Sequence, residues 1–140
     1  MLTIHGLDHV VLRTTQLDKM LYFYSTVLGC PIERTLPDEV GLIQLRAGSA
    51  LIDIVTVDSE LGKLGGKAPQ QDGRNVEHIC LQVSPFEETA LLTFLDRHDI
   101  PHSDFDTRYG AQGFGRSIYI EDPEGNVIEL KAFQQYTLPT

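Results

Sequence analysis

Four titratable residues recur in one setting along this sequence. His9, Asp53, His78 and Glu129 each stand in a stretch whose alternate residues are aliphatic: Val10 and Leu12, Ile52 and Ile54, Ile79 and Leu81, and Ile128 and Leu130. Period-two counting places the aliphatic residues of each stretch on one face and the titratable residue on the other. A carboxylate in the middle of a half-buried strand costs free energy unless something pairs with it, so Glu129 needs a partner. Neutral imidazole and carboxylate oxygen are ligands for a borderline or hard divalent ion. Two of each suit an octahedral site with two positions left to water or substrate. A closed structural zinc site more often uses thiolates, and Cys30 and Cys80 are in the wrong places for one.

The elements that must position these residues repeat. Leu7 to Arg13 alternates as a strand, and Thr15-Gln-Leu-Asp18 resembles a capping box opening a helix. That helix carries an apolar stripe of Leu17, Leu21, Tyr24 and Leu28 and stops at Gly29 and Pro31. Strands are expected around Ile32 to Leu36, Gly41 to Arg46 and Ala50 to Val57. Residues 58–75 hold four glycines, a proline and mostly polar side chains, which predicts a connecting loop.

The pattern then restarts. Val76 to Gln82 copies the first strand with a His in the same place, and Ser84-Pro85-Phe86-Glu87 repeats the cap with Pro at the first helical position. Ala90, Leu91, Phe94 and Leu95 form the second stripe, which ends near Asp99-Ile100-Pro101. Residues 102–110 read as one edge strand. Arg116 to Lys131 then forms a hairpin turned by Asp122-Pro123-Glu124-Gly125-Asn126, whose acids are expected to be solvated. His9 to His78 and Leu17 to Phe86 are both offset by 69, and Asp53 to Glu129 by 76. The expected organisation is a first module over 1–57, the loop 58–75 and a second module over 76–140. Tandem copies of this kind pack on one another, because neither alone buries its hydrophobic face.

Composition narrows the classes. A chain of 140 residues, 41% hydrophobic and 22% charged, is an ordinary globular length with a sizeable core. Twenty acidic against eleven basic residues give a net charge of −9, which disfavours nucleic acid and anionic membrane surfaces as partners. No stretch approaches the roughly 20 apolar residues of a spanning helix, and no charged region followed by a long apolar run opens the chain. The expected location is therefore the cytoplasm, with Cys30 and Cys80 reduced and structural.

The stretches LDHVVL, VEHICLQV and YIEDPEGNVIEL, with the two-module order, resemble the vicinal oxygen chelate superfamily of glyoxalases, bleomycin-resistance proteins and extradiol dioxygenases. The resemblance spans about residues 5 to 133. It implies an α+β fold in which two tandem βαβββ modules form a curved mixed-sheet cup around a metal ion. By position, the implied metal ligands are His9, Asp53, His78 and Glu129, with Asp53 standing where some members have Glu or Gln. The implied cofactor is a divalent ion among Ni, Mn, Fe, Co and Zn. The implied chemistry is chelation of neighbouring substrate oxygens with stabilisation of an enolate or oxyanion, as in a lyase, isomerase or epimerase.

On this reading Glu129 doubles as general base and Tyr119, beside Ser117, is a candidate catalytic residue facing the cup. Arg116 and Arg13 are candidate substrate-binding cations. The implied partners are a small-molecule substrate and a second copy of the chain in a homodimer. Two alternatives stand beside this reading. An extradiol ring-cleaving dioxygenase accounts for Tyr119, Asp122, Pro123, Gly125 and Glu129 but leaves Asp53 without a role and lacks a His near Gly110, Ala111 and Gln112. A drug-binding protein of the same fold would need none of the ligands. His5, His98 and His102 are assigned to structure or surface, and the glycines of 62–66 lack the Lys-Ser/Thr ending of a phosphate cradle.

Overall fold

The computed structural model describes residues 1–134. By its internal contacts the chain divides into two compact units, one of Met1–Asn75 and one from Val76 onward. In the first, β1 (His9–Thr14) leads into α1 (Leu17–Leu21), followed by β2 (Ile32–Thr35), β3 (Leu42–Ala47) and β4 (Ala50–Thr56). The sheet order is β1-β4-β3-β2, with β1 parallel to β4 and the other pairs antiparallel. In the second, β5 (His78–Val83), α2 (Glu88–Arg97), β6 (Asp106–Gly110), β7 (Gly113–Glu121) and β8 (Val127–Ala132) repeat the scheme as β5-β8-β7-β6, with β5 parallel to β8. Each unit is thus βαβββ, and the class is α+β.

The aliphatic faces are buried as the alternation requires. Leu12, Leu45 and Ile54 are fully inaccessible in the first unit, as are Ile118, Ile128 and Leu95 in the second. Burying each such side chain contributes about 1.5–3 kcal/mol, which fixes strand register because a one-residue slip would expose the whole set. No described helix is long and apolar enough to cross a membrane.

The helices differ from the sequence pattern. After Leu21 the first helix widens into a π-helical segment, Tyr22–Val27, and the buried side chains are Met20, Phe23 and Tyr24; of the expected stripe Tyr24 is buried, whereas Leu17, Leu21 and Leu28 are only half-buried. Its N-cap is Gln16, whose side chain makes no capping bond. In the second unit the helix begins at Glu88, three residues beyond the expected Pro85. The Glu87 carboxylate accepts from the Thr89 and Ala90 amides, satisfying two of the unpaired donors at the helix start.

The β7–β8 turn also departs from expectation, because Asp122 is buried, not solvated. Its Oδ1 accepts from the Glu124 and Asn126 amides and its Oδ2 from the Asn126 side chain, each at 2.9 Å. Gly125 supplies the positive φ of 85° that closes the turn.

Candidate metal centre

Within the first unit the parallel register sets Val11 against Asp53 and His9 against Leu51, so His9 and Asp53 share one sheet face. Asp53 is 2% exposed. Gln44, its cross-strand neighbour on β3, donates to both carboxylate oxygens, at 3.3 and 3.2 Å, and accepts from Arg34 on β2 at 3.2 Å. This polar row holds Asp53 in place without neutralising it by direct contact with a cation. His9 Nδ1 is bonded to Asp8 at 2.6 Å. That bond, with the charge of Asp53, raises the His9 pKa.

The second unit repeats the arrangement. Cys80 lies opposite Glu129 in the β5–β8 register and Tyr119 opposite Glu129 in the β7–β8 register, which puts His78, Glu129 and Tyr119 on one face. His78 Nε2 stands 3.4 Å from Glu129 Oε1, and its Nδ1 bonds to Glu77. The Tyr119 ring meets the His78 imidazole edge-on at 5.5 Å and carries the Arg108 guanidinium 4.2 Å above it. From edge strand to first strand the rows read Arg34-Gln44-Asp53-His9 and Arg108-Tyr119-Glu129-His78, offset by 74, 75, 76 and 69.

Among the described residues no three His, Cys, Asp or Glu side chains gather tightly enough to hold an ion, and the candidates come as one pair in each unit. Each pair has the donor chemistry of a divalent site. In both, a carboxylate on Nδ1 directs that nitrogen to carry the proton and leaves Nε2 as the free donor, the arrangement usual behind metal-bound imidazole. The 3.4 Å between His78 Nε2 and Glu129 Oε1 is a separation that one ion touching both atoms spans. Partial burial, with Glu129 alongside, pushes the Cys80 pKa up to about 11, so without a metal ion it is a thiol at neutral pH.

The proposed substrate cations fall differently. Arg116 points from the opposite face of β7, where its Nε and Nη2 donate to Glu88 at 2.9 Å. That face carries Ile118 and Ile120, so the alternation of the strand itself separates Arg116 from Glu129. Arg13 shares the face of His9, but its guanidinium donates to the carbonyls of Gly62, Gly66 and Lys67 and so pins the loop. Beneath that loop lies a cavity of about 670 Å³ lined by His9, Asp53, Arg13 and the aliphatic chains of Leu42, Val55 and Leu64.

Sequence reasoning passed over Asp8, Glu77, Gln44, Arg108 and Lys131. The acid before each His, repeated at the same offset, was the available signal for the first two. Lys131, on the same strand face as Glu129, is 3% exposed, so Glu129 is not the only charged group buried on β8.

Comparison with known proteins agrees with this architecture. The family model described as the Glyoxalase/Bleomycin resistance protein/Dioxygenase superfamily matches residues 6–130. A solved structure from the mobile metagenome of V. pseudocholerae is 23% identical, with a TM-score of 0.77 over 96% of this chain and 99% of that one. The fosfomycin resistance protein FosX from Listeria monocytogenes is 22% identical, with a TM-score of 0.69 over 94% of each chain. Lactoylglutathione lyase from Agrobacterium tumefaciens is 20% identical, with a TM-score of 0.65 over 93% of this chain and 95% of that one. These likenesses show the fold, and the family match over nearly the whole length shows descent: the chain belongs to the glyoxalase/bleomycin resistance protein/dioxygenase superfamily.

Proposed function

We propose that this protein is a metal-dependent enzyme of the glyoxalase type, a lyase, isomerase or epimerase acting on a small substrate with neighbouring oxygens. The observation that carries the reading is the repeated pair: in each unit a His whose Nδ1 is held by the preceding acid shares a sheet face with a buried carboxylate. His9, Asp53, His78 and Glu129 would hold the ion, in a cytoplasmic homodimer. When bound, a divalent ion supplies electrophilic stabilisation of charge developing on substrate oxygen. Asp8 and Glu77 keep the imidazole protons on Nδ1, and Gln44 holds both oxygens of Asp53. Glu129 Oε1, 3.4 Å from His78 Nε2, accepts the substrate proton as general base. Tyr119, packed against His78, orients the substrate and limits the access of water to that carboxylate.

Proton abstraction of this kind is read by solvent exchange. Incubated in deuterium oxide with 2-hydroxy and 2-oxo acids and their thioesters, the wild type exchanges the α-proton of a substrate and Glu129→Gln does not. Equal exchange by both proteins rules out Glu129 as the base. The apolar side of the 670 Å³ cavity supports a second reading, binding without catalysis, in which ligand affinity survives loss of His78.

A further inference from the structure

The described cations of the chain are not treated alike. Arg46 is half-buried and Arg116 exposed, and each is paired with a carboxylate, Glu33 and Glu88. Lys131 is 3% exposed, and among the described residues no carboxylate pairs with it. Its Nζ donates to the Gly113 carbonyl at 2.9 Å, and an ammonium group has three donors. A buried charge without a counter-charge costs free energy, so its retention needs a reason beyond folding.

The surroundings are shaped for it. A Cβ at Gly115 would lie 3.0 Å from Lys131 Nζ and one at Gly110 3.3 Å from its Cε, so two glycines of the β6–β7 hairpin clear the space the side chain crosses. Arg108, the register partner of Gly115, reaches the same face. Its Nη1 donates to the Ser117 carbonyl at 3.0 Å and to Ser117 Oγ at 2.8 Å, and its plane lies over Tyr119. Among the described residues it too has no carboxylate partner, and its Nε and Nη2 meet no acceptor. Ser117 stands opposite Lys131 in register, so both cations border one serine. All of these residues belong to the second unit and to the face that carries Glu129, which is two residues, about 7 Å, along the strand from Lys131.

We propose that Lys131 and Arg108, with Ser117 between them, form an oxyanion subsite that takes the carboxylate or phosphonate end of the substrate and so sets the distance from that end to Glu129. A guanidinium held over Tyr119 and a buried ammonium together recognise a planar or tetrahedral oxyanion, in a protein whose net charge is otherwise strongly negative. This inference deepens the enzyme reading by naming the substrate class, an anion whose charged group lies roughly one strand repeat from the reacting carbon.

The test uses benzylphosphonate, with its neutral dimethyl ester as control, titrated calorimetrically into protein stripped of metal and again after nickel loading. The expected result is saturable binding of the phosphonate in both forms, none of the ester, and a dissociation constant raised about tenfold or more by Lys131→Met and by Arg108→Gln. Equal binding of the ester, unchanged affinity in both variants, or no saturable binding would overturn the subsite. Should Lys131→Met fail to fold, Arg108→Gln on the edge strand carries the test. Nickel content measured on the same samples reads the metal-dependent reading separately, since the phosphonate arm needs no ion.

Discussion

Replacing Glu77 with Gln removes a negative charge and leaves the shape of the side chain almost unchanged. Its carboxylate can only accept, so while it faces His78 Nδ1 that nitrogen carries the proton and Nε2 presents a lone pair toward Glu129. A Gln amide can donate as well as accept, which lets the neutral ring place its proton on Nε2, where it blocks ligation. Loss of such a partner typically lowers metal affinity 10- to 100-fold. Here the Glu77 side chain is 81% exposed and that of His78 34%, so solvent screens the charge and the lower end applies, about tenfold for Glu77→Gln. Asp8 is more exposed, at 91%, and Asp8→Asn should weaken binding less, about threefold to fivefold. Competition with a chromophoric chelator at fixed pH reads the affinity, and imidazole nitrogen shifts of the metal-free protein read the tautomer. Unchanged tautomers and unchanged affinity in both variants would refute the positioning argument while leaving the ligands themselves in place.

Three further outcomes follow from the geometry. Arg116→Gln should leave metal and ligand affinity within about twofold of wild type in a competition assay, because Arg116 is occupied with Glu88 on the helix-side face. Gly62→Ala should displace the loop over the cavity, since a Cβ there would lie 1.7 Å from the Thr56 carbonyl oxygen; expected are a loss of about 2 kcal/mol or more in urea denaturation and faster proteolytic nicking within 58–75. Unperturbed nicking would mean the loop does not depend on that close approach. His102 faces the Ser103 carbonyl with Nδ1 and Asp96 with Nε2, so only the imidazolium satisfies both acceptors and its pKa is raised above 6.5. A raised pKa in the folded state gives stability that is full below about pH 6.5 and lost as pH climbs through the folded value. The melting temperature should therefore drop by a few degrees at most between pH 6 and 8, and His102→Gln should remove that component of the slope.

Strand existence and facing were legible from alternation alone, because a buried aliphatic face tolerates no slip: of the residues flanking His9, Asp53, His78 and Glu129, Leu12, Ile52, Ile54, Ile128 and Leu130 are buried and Val10, Ile79 and Leu81 half-buried. Helix detail was not. The π-helical turn after Leu21 shifts which side chains face inward, and the Glu87 cap outcompetes the Ser84 signal; both are decided by packing and local hydrogen bonds that a 3.6-residue count does not contain. The site shows the same division. The titratable residue on each strand could be found by parity, whereas Gln44 beside Asp53 and Arg108 above Tyr119 come from the cross-strand register of the β3–β4 and β6–β7 hairpins, which the alternation of a single strand does not contain. Arg116 was misplaced for a plainer reason. It was chosen for its charge although parity had already set it on the face opposite Glu129.

The central claim is that the two His–carboxylate pairs are ligands. Metal content by mass spectrometry, on protein purified without added metal or a histidine tag, tests it directly beside His9→Ala and Glu129→Ala. The account predicts near-stoichiometric divalent metal in the wild type and its loss in both variants, each still folded by circular dichroism. Wild type that stays empty after reconstitution with nickel, manganese, iron, cobalt and zinc, or variants that keep full metal, would contradict it.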